Sequence, residues 1–494
     1  MHGIQNRLKN KKFRFNLGIL AYAGLGSGLV IIDYLIFHLN LYAGLLFAAL
    51  PFIAIITIGI IKYPVYLYLF IFSLSYFIMG LDRYWRSLEP GVVITFLLFI
   101  LLGTLLIRSI RSSLNWNTLR NAPTLFVGFW LLYCILEVFN LQMGSVLSWM
   151  LSLRGIALYF FFFFCFTLLL FHRYRDLKRF LFFWSVFTLL AVLKAFIQKE
   201  FGFDYAEKYW LWVDGGARTH VIYSGIRYFS FFTDAANFGC SMAFSAVVFS
   251  ISAFFIRKNR LKIYYLVVAL AALYAMLISG TRAVILIPFT GYVAFIALTK
   301  NKRLIALGIL LVTAAFCFFY FTNYGQGNAY IRRMRTAFHP SKDASFQVRM
   351  ENQERFYRML KGKPFGMGVG SANPSQNVKA SVITIPTDSW LVKVWVQTGI
   401  LGLCLYLGIL IYLIIRGAYF VFFKVKDKEL RGLLIALICG VSGMLAASYA
   451  NDILAPFPNG PIVYMALAFI SLAPKLDREI GKKTIQHHKN EPLA

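Results

Sequence analysis

Three short patterns and one long basic stretch, all in the second half of the chain, carry the residues best suited to chemistry. RYFSFFTDAANFG (227–239) sets Arg227 and Asp234 just ahead of an apolar run, with Asn237 near its start. SGTR (279–282) sets Arg282 in a tight turn between two apolar runs. The stretch 322–388 holds Arg332, Arg333, Arg335, Lys342, Arg349, Arg355, Arg358, Lys361, Lys363 and Lys379 against Asp343, Glu351, Glu354 and Asp388. It is closed by PTDSWLVKVWVQTGILGL (386–403), in which Asp388 is expected to cap the next helix and Gly399 and Gly402 to allow close packing. A guanidinium is planar, permanently charged and offers two parallel donors, so converging arginines predict a phosphate-like anionic ligand.

Other chemistries find little support. The six cysteines, Cys134, Cys165, Cys240, Cys317, Cys404 and Cys439, all lie in apolar runs without paired spacing and read as packing residues. The seven histidines are scattered, so neither a metal nor another cofactor is expected. GMGVGS (366–371) has phosphate-loop glycines but no following Lys-Ser/Thr and no βαβ context. The net charge of +30 is dispersed between apolar blocks, which points to membrane topology and away from nucleic acid.

The elements that must position these residues are membrane helices. Hydrophobic residues make up 59% of the 494 and charged residues only 14%, too little polar surface for a soluble chain of this length. Apolar blocks long enough to cross a hydrocarbon core recur throughout, and in lipid such blocks must be helical to satisfy their own backbone. The expected fold is therefore an all-α polytopic bundle, a single domain over 1–494, with about fourteen spans (12–14). They fall near 17–38, 41–61, 64–80, 91–107, 123–139, 155–171, 180–198, 236–256, 263–279, 284–299, 304–321, 389–415, 432–450 and 460–473. Alternate connections (KNKKFRFN, RSIRSSLNWNTLR, HRYRDLKR, RKNRLK, KNKR, 416–431 and the tail) are short and densely basic, which places them and both termini in the cytoplasm. The opposite set then faces outward, including 140–154, 199–235 and the large loop 322–388.

Ionisable residues near span ends share that outward side: Asp33, Glu137, Lys194, Arg282, Lys393 and Asp452. They predict polar work at the outer boundary, not along a path through the bilayer. Within the large loop, Phe346, Met350, Tyr357 and Leu360 share one helical stripe and predict an amphipathic helix on the bundle or membrane surface.

Taken in this order over roughly 220–415, the patterns resemble the O-antigen ligase / O-antigen polymerase superfamily of bacterial envelope glycosyltransferases. The resemblance rests on R-x-x-S-x-x-x-D-x-x-N-like spacing from Arg227, then SGTR, then a large loop with an internal arginine, a G-x-G turn and V-x-x-G-x-x-G-L. It implies an inner-membrane enzyme, independent of metal, that takes a glycan from undecaprenyl pyrophosphate at the periplasmic face. The acceptor is another glycan or lipid A core. By the resemblance, Arg227, Arg282 and Arg349 face the pyrophosphate, while Asp234, Asn237, Lys393 and His339 lie about the substrate. The family often has His-Asn where this chain has Thr387-Asp388, so the group that activates the acceptor is either Asp388 or His339. Trp210, Trp212, Tyr223, Tyr228 and Trp390 are interfacial aromatics or stack on sugar faces. The Asp in place of His-Asn favours polymerisation of capsule, exopolysaccharide or O-antigen repeats over ligation. From a different class, a polysaccharide flippase would also suit fourteen spans, but would need charges near the midplane and repeated halves.

Overall fold

The computed structural model describes residues 59, 62–86, 89–111, 114–222, 225–338, 344–372 and 385–489. The chain separates into two compact units, 1–67 with 101–113, and 68–100 with 114–494. The first unit is described only over residues 59, 62–67 and 101–111, where Arg108 Nη1 donates to the Lys62 carbonyl at 2.9 Å. The expected spans 17–38 and 41–61, together with Asp33, lie outside the described residues or at their edge. The second unit carries every helix from residue 114 on and the site described below.

In chain order the helices are α1 (Pro64–Tyr84) and α2 (Pro90–Arg111), of which 64–67 and 101–111 fall in the first unit, then α3 (Ala122–Leu136), α4 (Val146–Leu170), α5 (Tyr174–Glu200), α6 (Tyr205–Trp212), α7 (Ala235–Phe255) and α8 (Asn259–Ile278). They continue as α9 (Leu286–Leu298), α10 (Lys302–Phe321), α11 (Ala329–Thr336), α12 (Ala344–Leu360), α13 (Trp390–Tyr419), α14 (Lys428–Ala447), α15 (Asn459–Ser471) and α16 (Ala473–Lys489). Among the described residues ten helices are long and apolar enough to cross a membrane, or eleven if the bent pair α15–α16 is one span. The chain is thus an all-α, multi-pass membrane protein. The expected span at 284–299 is a shorter apolar helix, Arg282–Leu298.

Several expected boundaries move. The span set at 155–171 begins at Val146, because VLSWMLSL is apolar enough to extend it and a π-turn at Arg154–Leu158 carries the helix through Gly155. The outward connection 140–154 shrinks accordingly. At the other end, α13 runs on through a second π-turn, Phe420–Lys424, which shortens the basic connection at 416–431. The tail after 473 is helical and departs from α15 at 55°.

The core of the second unit is α7 packed against α8, α9 and α14, with α15 against α4. Some 78% of the apolar window of α7 and of α14 is buried, against 6% for α10, so α10 is peripheral and presents its apolar side outward. The connection before α7, expected to face outward, folds as α6, a helical turn at Ala217–His220 and a two-residue antiparallel ladder, β1 (Val221–Ile222) with β2 (Gly225–Ile226). Lys194 near the end of α5 anchors this connection through Asp204 and Glu207, each at 2.9 Å. Gln198 joins it, donating to Glu207 at 2.7 Å and accepting from the Ser230 amide at 2.9 Å.

The amphipathic helix expected in the large loop is α12, but its buried side differs from the expected stripe. Phe356 and Leu360 pack with Met367, Val392 and Val396, while Tyr357 and Met350 are exposed. The chain then returns through a glycine turn that is docked on α13. Gly399 breaks α13 with φ +68°, and a side chain there would overlap the Pro364 carbonyl. Gly366, at φ +76°, comes so close that an added Cβ would lie 2.5 Å from the Gly399 nitrogen. Backbone bonds seal the contact, Met367 N–H to the Val396 carbonyl at 2.9 Å and Leu401 N–H to the Pro364 carbonyl at 3.4 Å. GMGVGS is therefore a packing device between loop and helix.

Candidate functional site

The connections expected to face outward converge on one cavity of about 980 Å³. Its walls come from the segment before α7, the turn between α8 and α9, helices α11 and α12, the residues before α13 and the turn after α14.

Arg227 follows the β1–β2 ladder, which fixes its backbone: its N–H donates to the His220 carbonyl at 2.9 Å. Nη1 donates to the Thr219 carbonyl at 2.8 Å and Nη2 to Thr281 Oγ1 at 2.7 Å. Burial lowers the Arg227 pKa, with Asp234 opposing the shift and Arg282 adding to it. Thr281 in turn donates to the Ala235 carbonyl at 3.1 Å, so the SGTR turn, Arg227 and the start of α7 are one hydrogen-bonded unit. That unit needs a glycine on α7: a Cβ at Gly239 would meet Val284 Cγ1 at 2.9 Å and collide with the Ser279 side chain.

Asp234 is the N-cap of α7, accepting from Ala236 and Asn237 amides at 2.7 and 2.9 Å. Its other oxygen accepts from Asn237 Nδ2 at 2.7 Å. Asn237 also donates to the Asp452 carbonyl at 3.3 Å and accepts from Asn459 at 3.1 Å, tying the first turn of α7 to the turn after α14. Arg282 lines the cavity from the other side, its Nη1 3.5 Å from Thr336 Oγ1 on α11. Arg349 and Arg333 line it from α12 and α11. Gln353 of α12 accepts from the Tyr449 hydroxyl at 3.2 Å, holding that helix across the opening.

Asp388 lines the cavity but is not the cap of α13. Ser389 is, accepting from the Val392 amide at 3.3 Å, which leaves the exposed Asp388 carboxylate one residue ahead and facing the site. Lys393 reaches the cavity wall indirectly, through an ion pair with Asp452 at 3.0 Å. Trp390 is not brought to the cavity: it is buried, and its Nε1 donates to the Tyr406 hydroxyl at 3.0 Å. His339 and Tyr223 lie outside the described residues. Of the other aromatics, Trp210 packs on Phe229 and beneath the Arg83 guanidinium, Tyr228 is buried, and Trp212 is exposed.

Arg227, Asp234, Asn237, Arg282, Arg349 and Asp388, all singled out in the sequence, thus share one cavity. The sequence missed His220, Tyr449 and Asn451, and marked Arg333 and Asp452 only as a loop charge and a boundary charge. His220 offers no pattern at all; it is a buried histidine whose Nε2 accepts from the Ala235 amide at 3.0 Å, which leaves Nδ1–H to donate to the Gly216 carbonyl at 2.9 Å. Burial holds its pKa down to about 4, so it is neutral and structural. The wall combines four guanidiniums with three carboxylates, of which Asp234 is occupied as a cap and Asp452 is neutralised by Lys393. What remains is a cationic pocket with one exposed carboxylate at its rim, able to hold a polyanion beside a group that accepts a proton. Among the described residues no three His, Cys, Asp or Glu side chains gather as a metal-binding set.

No curated protein matches the chain. Residues 266–407, which hold the SGTR turn, α11, α12, Asp388 and the break at Gly399, match the sequence model of the O-antigen ligase family, and this match supports the resemblance to the O-antigen ligase/polymerase superfamily.

Proposed function

We propose that this protein transfers a glycan from an undecaprenyl-pyrophosphate carrier to an acceptor hydroxyl at the periplasmic face of the bacterial inner membrane. The observation that carries this reading is the convergence of Arg227, Arg282, Arg333 and Arg349 with Asp388 around a single cavity. In the proposed reaction the acceptor oxygen attacks the anomeric carbon, the bond from that carbon to the pyrophosphate oxygen breaks, and the acceptor proton passes to Asp388. Negative charge grows on the departing pyrophosphate, so donors fixed around it stabilise the transition state more than the bound donor. Arg227 suits that role because its Nη atoms are already held by Thr219 and Thr281 and need not reorganise. The carrier bond supplies the driving force, and the scheme needs no metal or nucleotide sugar.

Polymerisation of repeat units is the favoured outcome, with ligation to lipid A core as the alternative. The replacement of His-Asn by Thr387-Asp388 supports polymerisation, and the placement of Asp388 at the rim supports its role as the base. The reading is tested with membranes supplied with lipid-linked oligosaccharide. Arg282→Ala should insert normally and lose transfer by roughly two to three orders of magnitude, the range for removing one positioned donor. Near-normal transfer by that variant refutes the pyrophosphate role. Deletion in the native cell separates the two outcomes: single-repeat products on a gel mark a lost polymerase, and long carrier-linked chains a lost ligase.

A further inference from the structure

The turn after α14 is built more firmly than a connection between spans requires. The Asn451 amide bonds back to the Ala447 carbonyl at 3.1 Å, and the Asn451 carbonyl accepts from the Trp390 amide at 3.2 Å. Ser389 Oγ donates to the Ser448 carbonyl at 3.0 Å, and Asn237 Nδ2 donates to the Asp452 carbonyl at 3.3 Å. With its backbone held by α7 and by the start of α13, the turn sets Asn451 and Asp452 side by side in the cavity wall. Asn451 is only 7% exposed, and its Nδ2 donor has no partner among the described residues. Lys393 takes Asp452 Oδ2 at 3.0 Å, and Oδ1 is buried without a partner among the described residues. A buried donor and a buried acceptor left open together are costly unless something in the cavity satisfies both.

Building on the proposed glycan transfer, we propose that Asn451 and Asp452 form a sugar subsite that grips a pair of neighbouring hydroxyls on a glycosyl unit. A hydroxyl both donates and accepts, so adjacent hydroxyls complement an amide donor beside a carboxylate acceptor. Phosphate does not fit there: it has no hydrogen to give the open Asp452 Oδ1 acceptor, and the arginines lie on other segments of the wall. The pair lies beyond residues 266–407, so the part of the chain matching the family holds most of the guanidiniums while this turn reads the sugar. The glycosyl unit belongs either to the bound donor or to the acceptor.

The test uses the full chain in nanodiscs, with undecaprenyl pyrophosphate and the carrier-linked oligosaccharide extracted from the native cell as probes. Asn451→Ala and Asp452→Asn should leave affinity for the bare carrier unchanged. If the subsite holds the donor sugar, each weakens the glycosylated carrier about fivefold to tenfold, the size of a lost hydrogen bond. If it holds the acceptor, donor affinity stays and the acceptor KM rises by a similar factor with kcat kept. Wild-type values for both parameters in both variants overturn the proposal, as does an equal loss for bare and glycosylated carrier. Asn451→Ala leaves the Lys393–Asp452 pair intact and carries the test should Asp452→Asn fail to fold. Arg282→Ala serves as the separate arm: unimpaired binding of the bare carrier there refutes the pyrophosphate reading without touching the comparison at 451 and 452.

Discussion

Arg227 can act in two ways, and a three-variant series separates them. Its guanidinium either stabilises a departing pyrophosphate or merely ties the SGTR turn to the chain before α7. Arg227→Ala removes both functions, with charge-assisted bonds to Thr219 at 2.8 Å and Thr281 at 2.7 Å. Bonds of this kind contribute roughly 1.5–3 kcal/mol each, so two of them amount to about 3–6 kcal/mol as an upper figure for stability. Thr281→Val removes only the tie: it leaves the charge in place but strips the Nη2 partner and the bond to the Ala235 carbonyl at 3.1 Å, costing about 1–3 kcal/mol. Arg227→Lys keeps a charge but loses the two-pronged geometry. The assay is initial-rate glycan transfer in nanodiscs, alongside thermal unfolding of each variant. Transition-state stabilisation by Arg227 predicts a fall in kcat of roughly 10²–10³ for Arg227→Ala. Arg227→Lys should then fall between that and wild type, and Thr281→Val should stay within about tenfold, the fall of a weakened tie. If Thr281→Val falls as far as Arg227→Ala, the guanidinium works by holding the turn, and the argument for a direct electrostatic role fails.

Asp388→Asn should lower transfer by roughly 10²–10⁴, and retained activity would exclude Asp388 as the base. His220 gives a pH dependence of stability. Its folded pKa, about 4, lies below the unfolded value, so the unfolded chain binds the proton first as pH falls. Its contribution is complete above about pH 6.5 and is lost between there and about pH 4, a slope that thermal unfolding of wild type should show and His220→Gln should lack. Gly399→Ala should destabilise the protein by several kcal/mol, since it meets both an unfavourable φ of +68° and the Pro364 carbonyl, and a Tm within a degree or two of wild type would contradict the docked turn.

The helices were legible because lipid leaves the backbone no alternative, and each expected span within the described residues coincides with a helix. Their ends were less so. Val146–Leu153 joins its span through a π-turn and Phe420–Lys424 is itself one, which hydropathy does not register. The arginines were legible because charge at the end of an apolar span is rare enough to notice. Trp390 was misplaced because an indole at a span boundary looks the same whether it faces the interface or a hydroxyl such as Tyr406. The stripe on α12 failed for a related reason: its first half, with Phe346 and Met350, lines the cavity, while Phe356 and Leu360 in its second half bury against the docked turn. One periodicity cannot describe a helix whose two halves meet different surroundings. Asn451 and Asp452 were hard to see because what marks them is an unfilled bonding capacity, which exists only once the fold has closed around them.

The seam between Gly366 and Gly399 also has a mechanical meaning. A helix broken at Gly399 frees backbone groups within an apolar span, and the loop supplies partners for two of them, the Val396 carbonyl and the Leu401 amide. Loop and break are therefore a rivet: neither can separate without stranding peptide groups where water is scarce. Force applied to the large loop passes into the membrane helix and does not dissipate in slack chain. Under hydrogen exchange, the Met367 and Leu401 amides should open together and slowly, with the exchange behaviour of the helical core and not that of a surface loop.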